Sequence, residues 1–184
     1  MRVITIDDKP YVFGIMGFDT YDVVNPTTYG RQKNGITIGM IDCLDTDHEM
    51  ESSGTNSGGW GKPCEMKTWL NGLSIESELS NVITYSRLPY CATYNSSAMS
   101  YDTTSKLFLP SEYEVFGKKT HAPANEGSQF AYYTNGILRV KRGYWWLRSV
   151  SSGYDGGFCV VDRIDSVSYD RSGRDNGVAP CFCV

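Results

Sequence analysis

The sequence has no CxxC pair, no run of more than two consecutive Lys or Arg, and no apolar stretch approaching the roughly 18 residues of a membrane-spanning helix. The first absence leaves no zinc ribbon or dithiol redox motif. The second, with a formal net charge of −4, removes the electrostatic footprint of a nucleic-acid or anionic-membrane binder. No nucleic acid and no membrane insertion is therefore expected. The start, MRVITIDDKPYVFGIMGF, carries acids where a signal peptide has a basic region, so delivery to any surface is expected by another route. With two histidines in the chain, no His-based triad or zinc cluster is expected, and His121 reads as a plain loop residue.

One further absence is local. Residues 147–184 contain no Lys, Glu, Gln, Met or Trp, although these five types occur 28 times in the chain. Composition alone predicts about six of them in that window.

What is present points to a β-rich, loop-rich chain of α+β class: 13% aromatic residues, 13 Tyr and 19 Gly in 184 residues, a length that supports one domain with its own core. The six cysteines (43, 64, 91, 159, 181 and 183) are scattered through a chain that needs no staples, so mostly free thiols are expected. Cys181 and Cys183, two apart on a strand, would face the same side and pack in the core.

Along the chain, MRVITID and YVFGIMGF read as a hairpin around Asp-Asp-Lys-Pro, followed by a polar stretch from Asp19 to Asn34 and a strand in GITIGMIDCL. The loop that follows holds acids at 42, 45, 47, 49 and 51, a spacing unlike an EF-hand, and reads as solvated. Met66, Trp69 and Leu70 have helical spacing up to the Asn71-Gly72 stop, and a second short helix begins near Ser74. Residues 86–104 are polar and Tyr-rich. KLFL reads as a short strand, SEYEVF as a helical turn, and the segment after His121 as a loop with a short aromatic helix. YWWLRS, GFCVVD, SVSYD and VAPCFCV read as closing strands.

Four motifs in order, TWLNG (68–72), TTSKLFLPSEYEVFG (103–117), YWWLRS (144–149) and GVAPCFCV (177–184), cover most of the chain. With them the sequence resembles a family of domains of unknown function, common in Gram-positive bacteria and their phages, that end in WWLRSP, a variable stretch, and GVRPAF or GVAPGF. Val150 stands where the family has Pro, and Ala179 where many members have Arg. The resemblance implies a single C-type lectin-like domain over 1–184, of the formylglycine-generating-enzyme-like branch, with short twisted antiparallel strands and two or more short helices. A subset of such domains are variable proteins of diversity-generating retroelements, in which a reverse transcriptase rewrites adenines near the 3′ end of the gene. Randomising the first two positions of Asn-type codons while a pyrimidine stays third cannot produce Lys, Glu, Gln, Met or Trp, the types missing from 147–184.

The resemblance implies a display scaffold without enzymatic activity, whose variable face, about 149–177, binds a protein or glycan receptor on a host or neighbouring cell. The expected location is a virion tail tip, with a cell-surface lectin-like adhesion module as the alternative. In the face, Tyr154, Phe158 and Tyr169 supply amphipathic contact area, and Ser151, Ser152, Ser168 and Asn176 adaptable hydrogen bonds. Asp155, Arg163, Asp170, Arg171, Arg174 and Asp175 add charges of both signs. Trp145, Trp146 and Arg148 are expected beneath it: adjacent tryptophans on a strand point to opposite faces, one into the core and one under the variable surface, while Arg148 holds a carbonyl or an acid. Substitution is expected to be tolerated from about Val150 onward. Formylglycine-generating relatives use paired cysteines with copper, and an enzyme relative of that type is the weaker alternative, but Cys159, Cys181 and Cys183 read as core. Neither Glu-Pro-Asn, Gln-Pro-Asp nor Trp-Asn-Asp occurs, so no calcium and no cofactor is expected. No coiled-coil heptad indicates an oligomeric state.

Overall fold

Ile4 and Ile6 are enclosed while Arg2 and Val3 are exposed, the alternation of a half-buried strand. In a computed structural model, which describes residues 1–24, 33 and 35–184, this is strand β1 (Arg2–Ile6). It turns through Asp7 and Asp8, both at positive φ, into β2 (Lys9–Phe18), the expected hairpin. Most of the polar stretch 19–34 lies outside the described residues. Then come β3 (Ile36–Met40), helices α1 (Glu65–Gly72) and α2 (Ser77–Ser80), β4 (Leu88–Cys91), β5 (Met99–Asp102), α3 (Glu112–Phe116), β6 (Trp145–Val150), β7 (Gly157–Val161), β8 (Val167–Arg171) and β9 (Cys181–Cys183).

The architecture is α+β, with short, mostly antiparallel strands. The first sheet runs β1-β2-β3-β9 and so joins the two ends of the chain. β4 and β5 form a hairpin in the Tyr-rich stretch, and β6-β7-β8 form a three-stranded meander. Among the described residues one apolar cluster runs through these layers, from Phe13 and Phe182 in the first sheet through Met66 and Leu70 of α1 to Trp145 and Val160 of the third.

Two helices follow from local chemistry. In α1, Met66 and Leu70 are enclosed and Trp69 half-buried. The face also takes in Lys67, whose ammonium meets Asp102 at 2.7 Å. In α3, the Ser111 side chain accepts from the Glu114 N–H while the Glu114 carboxylate accepts from the Ser111 N–H, a capping box, and Gly117 at φ 68° closes the helix.

Two expectations are corrected. KLFL is not a strand: Phe108 alone bridges to Cys181, because β9 reaches this segment with one residue. The acidic loop is not uniformly solvated either: Glu51 is buried against Lys62 and Ser53, and Asp47 pairs with Arg142 at 2.8 Å.

Candidate functional site

All six residues of β6, WWLRSV, are buried. A strand covered on both faces normally reads as continuous apolar sequence; here it contains Arg148 and Ser149, and the surroundings must satisfy them. The Arg148 guanidinium donates to both oxygens of Glu114 at 2.6 Å, to the carbonyls of Pro89 at 3.0 Å and Leu109 at 2.9 Å, and less closely to that of Glu126 at 3.5 Å. Tyr21 adds a hydroxyl donor to Glu114 at 2.7 Å. Burial pulls the guanidinium pKa down, but the adjoining Glu114 charge outweighs it and holds Arg148 above its ordinary value. The Ser149 hydroxyl donates to Glu126, which also accepts the Cys91 N–H at 2.6 Å. Burial pushes the Glu126 carboxyl up to about 7, although Arg148 and the Ser149 hydroxyl act against it.

The tryptophans sit on opposite sides of this strand, and both are fully enclosed. The Trp145 indole N–H donates to the Arg139 carbonyl at 3.0 Å, and the Lys141 ammonium lies 4.8 Å from its ring centroid. The Trp146 indole N–H donates to the His48 carbonyl at 2.7 Å. Arg148 holds both carbonyls and an acid. Neither indole is exposed at the surface.

From this base the chain turns outward at 151–157, and the turn is held almost entirely through main-chain atoms. Ser151 N–H donates to Gly157 O at 2.9 Å, Ser152 N–H to His121 O at 2.6 Å, and Ser172 N–H to Gly156 O at 2.9 Å. Ser172 O in turn accepts from the N–H groups of Met50 and Glu51. The buried Asn56 carboxamide donates to Tyr154 O at 3.2 Å and Gly157 O at 2.9 Å. A turn fastened by backbone groups keeps its shape when exposed side chains change. Gly156, at φ 98°, is an exception: a Cβ would collide with the Gly54 carbonyl.

Exposed on this turn and the neighbouring strand are Ser152, Tyr154, Asp155, Tyr169 and Arg171. The Tyr154 and Tyr169 rings stack with centroids 6.2 Å apart, and the His121 ring lies edge-to-face with Tyr169, centroids 5.2 Å apart. Arg174 and Asp175 are exposed on the following turn. Ser168 and Asp170 are half-buried, and Asp170 accepts from the Asn176 carboxamide at 3.1 Å. Arg163 lies apart, with Asp175 and Asn176 in a cleft of about 260 Å³ that Asp47, Arg142 and Tyr144 also line.

Three residues expected on the face are inside. Phe158 is 1% exposed because β7 is sandwiched between β6 and β8 and buried along its whole length, Ser151 is 0% exposed where its backbone meets Gly157, and Asn176 is 8% exposed where it bridges to His48. Tolerance does not begin uniformly at Val150: Val150, Gly156, β7 and Ser172 are structural, and exposed positions alternate with them. Sequence reasoning missed Asn56, hidden in a Ser/Gly-rich loop, and the buried Glu112 and Glu126, which carry no local signal. It read His121 as an ordinary loop residue without seeing the ring contact.

All six cysteines are buried free thiols. Burial, followed by the nearby Glu112 carboxylate, raises Cys159 well above the usual thiol range, and burial pushes Cys183 up to about 11 and raises Cys181 further. No cluster of three or more His, Cys, Asp or Glu side chains suited to a metal occurs among the described residues, and no helix there is long and apolar enough to cross a membrane.

These features define an α+β domain in which exposed polar and aromatic turns project from a doubly covered β-hairpin. Residues 33–184 match a family described as a domain of unknown function, DUF6273, and the chain belongs to it. No curated protein and no solved structure matches it.

Proposed function

We propose that the protein is a non-enzymatic display scaffold of C-type lectin-like fold, whose C-terminal face binds a receptor on a host or neighbouring cell, at a virion tail tip. The observation that carries this reading is the division within 145–175. Trp145, Trp146 and Arg148 are 0% exposed under a turn held by main-chain hydrogen bonds, while Tyr154, Asp155, Tyr169, Arg174 and Asp175 project outward. Exposed tyrosines with serine and mixed charges are the composition of a paratope. The absence of Lys, Glu, Gln, Met and Trp from 147–184 supports diversification by a retroelement. The raised thiol pKa values weigh against nucleophilic cysteine chemistry, because the thiolate is the reactive form.

The test uses fluorescently labelled protein and intact bacterial cells. Joint replacement of Tyr154, Asp155, Arg174 and Asp175 by Ala abolishes cell binding while changing stability by no more than about 0.5 kcal/mol per site. Trp145→Ala or Trp146→Ala costs about 3–5 kcal/mol. Strong destabilisation by the surface set, or cell binding unaltered by it, overturns the reading. A near-copy of the gene's 3′ end differing only at adenines, beside a reverse transcriptase gene, separates the retroelement form from a fixed adhesion module.

A further inference from the structure

Bordering the 151–157 turn at Ser152 lies a cleft of about 470 Å³, walled by Tyr94, Asn95, Ser97, Lys119, Thr120 and Ser152 among others. Its size is that of a small-molecule site. Apart from Ser152, its wall comes from two loops outside 149–177: the connection between β4 and β5, and the segment after α3. Diversification of the C-terminal stretch would leave those loops unchanged.

The side of the wall after α3 is held by hydrogen bonds. The Glu112 carboxylate, 0% exposed at the start of α3, accepts the N–H groups of Thr120, of His121 at 3.0 Å and of Ala122 at 2.5 Å. Lys119 donates to the Pro123 carbonyl at 2.6 Å, and Ser152 N–H to His121 O ties the variable turn to the same wall. His121, whose neighbours Thr120 and Ala122 both line the cleft, carries the contact onward through its edge-to-face contact with Tyr169. A prearranged wall of this kind lowers the ordering cost of binding.

Its chemistry is that of hydroxyls, a carboxamide, a phenol and one ammonium around the buried Ala122 and Pro123, with no carboxylate among the described lining residues. A docking protein segment would call for an apolar or aromatic anchor pocket. A sugar ring offers the complementary set: hydroxyls in several directions for Asn95, Ser97, Thr120 and Ser152, and an apolar C–H face for the half-buried Tyr94 ring.

We propose that this cleft is a saccharide subsite, a fixed part of the ligand face that takes one or two sugar rings while the neighbouring exposed tyrosines set which glycan is preferred. The proposal rests on the display reading for its second half only.

The experiment applies the purified full chain to a printed panel of immobilised neutral, amino and acidic oligosaccharides. Wild type is retained on a subset of the panel. Asn95→Ala with Ser97→Ala, and separately Ser152→Trp to fill the cleft, lower that retention at least about tenfold with an unchanged melting curve. Lys119→Ala weakens acidic sugars most. A blank panel for wild type, or cleft variants that bind as wild type does, overturns the subsite; the display reading still stands if Tyr154→Ala/Tyr169→Ala abolishes binding to cells. If the cleft variants lose sugar binding while Tyr154→Ala/Tyr169→Ala changes neither panel nor cell binding, the subsite stands and the display reading falls.

Discussion

The Arg148 guanidinium and the Glu114 carboxylate form a two-pronged ion pair, both contacts 2.6 Å and both side chains 0% exposed. It links the WWLRS strand to the capping box of α3, so two of the chain's sequence motifs meet in one contact. Removing one partner leaves the other charge buried without its counterion. Arg148→Met or Glu114→Gln should each cost about 3–5 kcal/mol in denaturant unfolding. The double variant should cost less than the sum of the two, since the residues share one interaction. Additive losses would show the pair to be uncoupled.

Glu126 titrates inside the same network. Its folded pKa, pushed to about 7 by burial, lies above the 4.5 of an unperturbed glutamate. Folding therefore favours the protonated form. This stabilisation is complete below about pH 4.5 and is lost as pH rises through about 7. Relative to Glu126→Gln, the wild-type protein should lose on the order of 3 kcal/mol between those limits. Unfolding free energies of both proteins from pH 4 to 8 give the difference, and parallel curves would contradict it.

Glycines in the 151–157 turn are not equivalent. Gly156→Ala forces a Cβ against the Gly54 carbonyl at φ 98° and should destabilise by about 1–3 kcal/mol. Gly153→Ala meets nothing closer than the Ser151 hydroxyl at 3.9 Å and should be nearly neutral. Thermal melts of the two variants decide between a turn fixed at one position and a turn that is loose throughout.

Buried thiols with raised pKa values should resist modification. Burial pushes Cys43 and Cys91 up to about 12, and the other four are also raised. A disulfide reagent at pH 8 should label little of the native protein within minutes and all six cysteines in guanidinium chloride. A fast-reacting native thiol would reopen the catalytic reading.

The elements legible in the sequence are those that local rules specify. Met66 and Leu70 mark α1 by their spacing, Ser111 and Glu114 mark the start of α3, and the β-formers of residues 2–18 mark the first hairpin. The β4–β5 hairpin was illegible because LPYC and MSYD are four residues each and mix Pro, Ser and Asp with apolar residues. KLFL looked more like a strand than either, yet only Phe108 finds a partner. Pairing depends on which segments tertiary packing brings alongside.

For the site, the sequence alone marked the base: two tryptophans and an arginine, followed by a Ser/Gly/Asp-rich stretch that lacks five residue types. It could not determine which residues of that stretch face water. Phe158 and Tyr169 look alike as aromatic residues in short strands, but β7 is enclosed between two strands while β8 has a neighbour on one side only. Nor does an isolated Glu reveal burial, since a carboxylate enters a core only when donors from distant segments converge on it, as Arg148 and Tyr21 do on Glu114. Burial and charge pairing are properties of chain segments far apart in sequence, so the tertiary structure alone decided them.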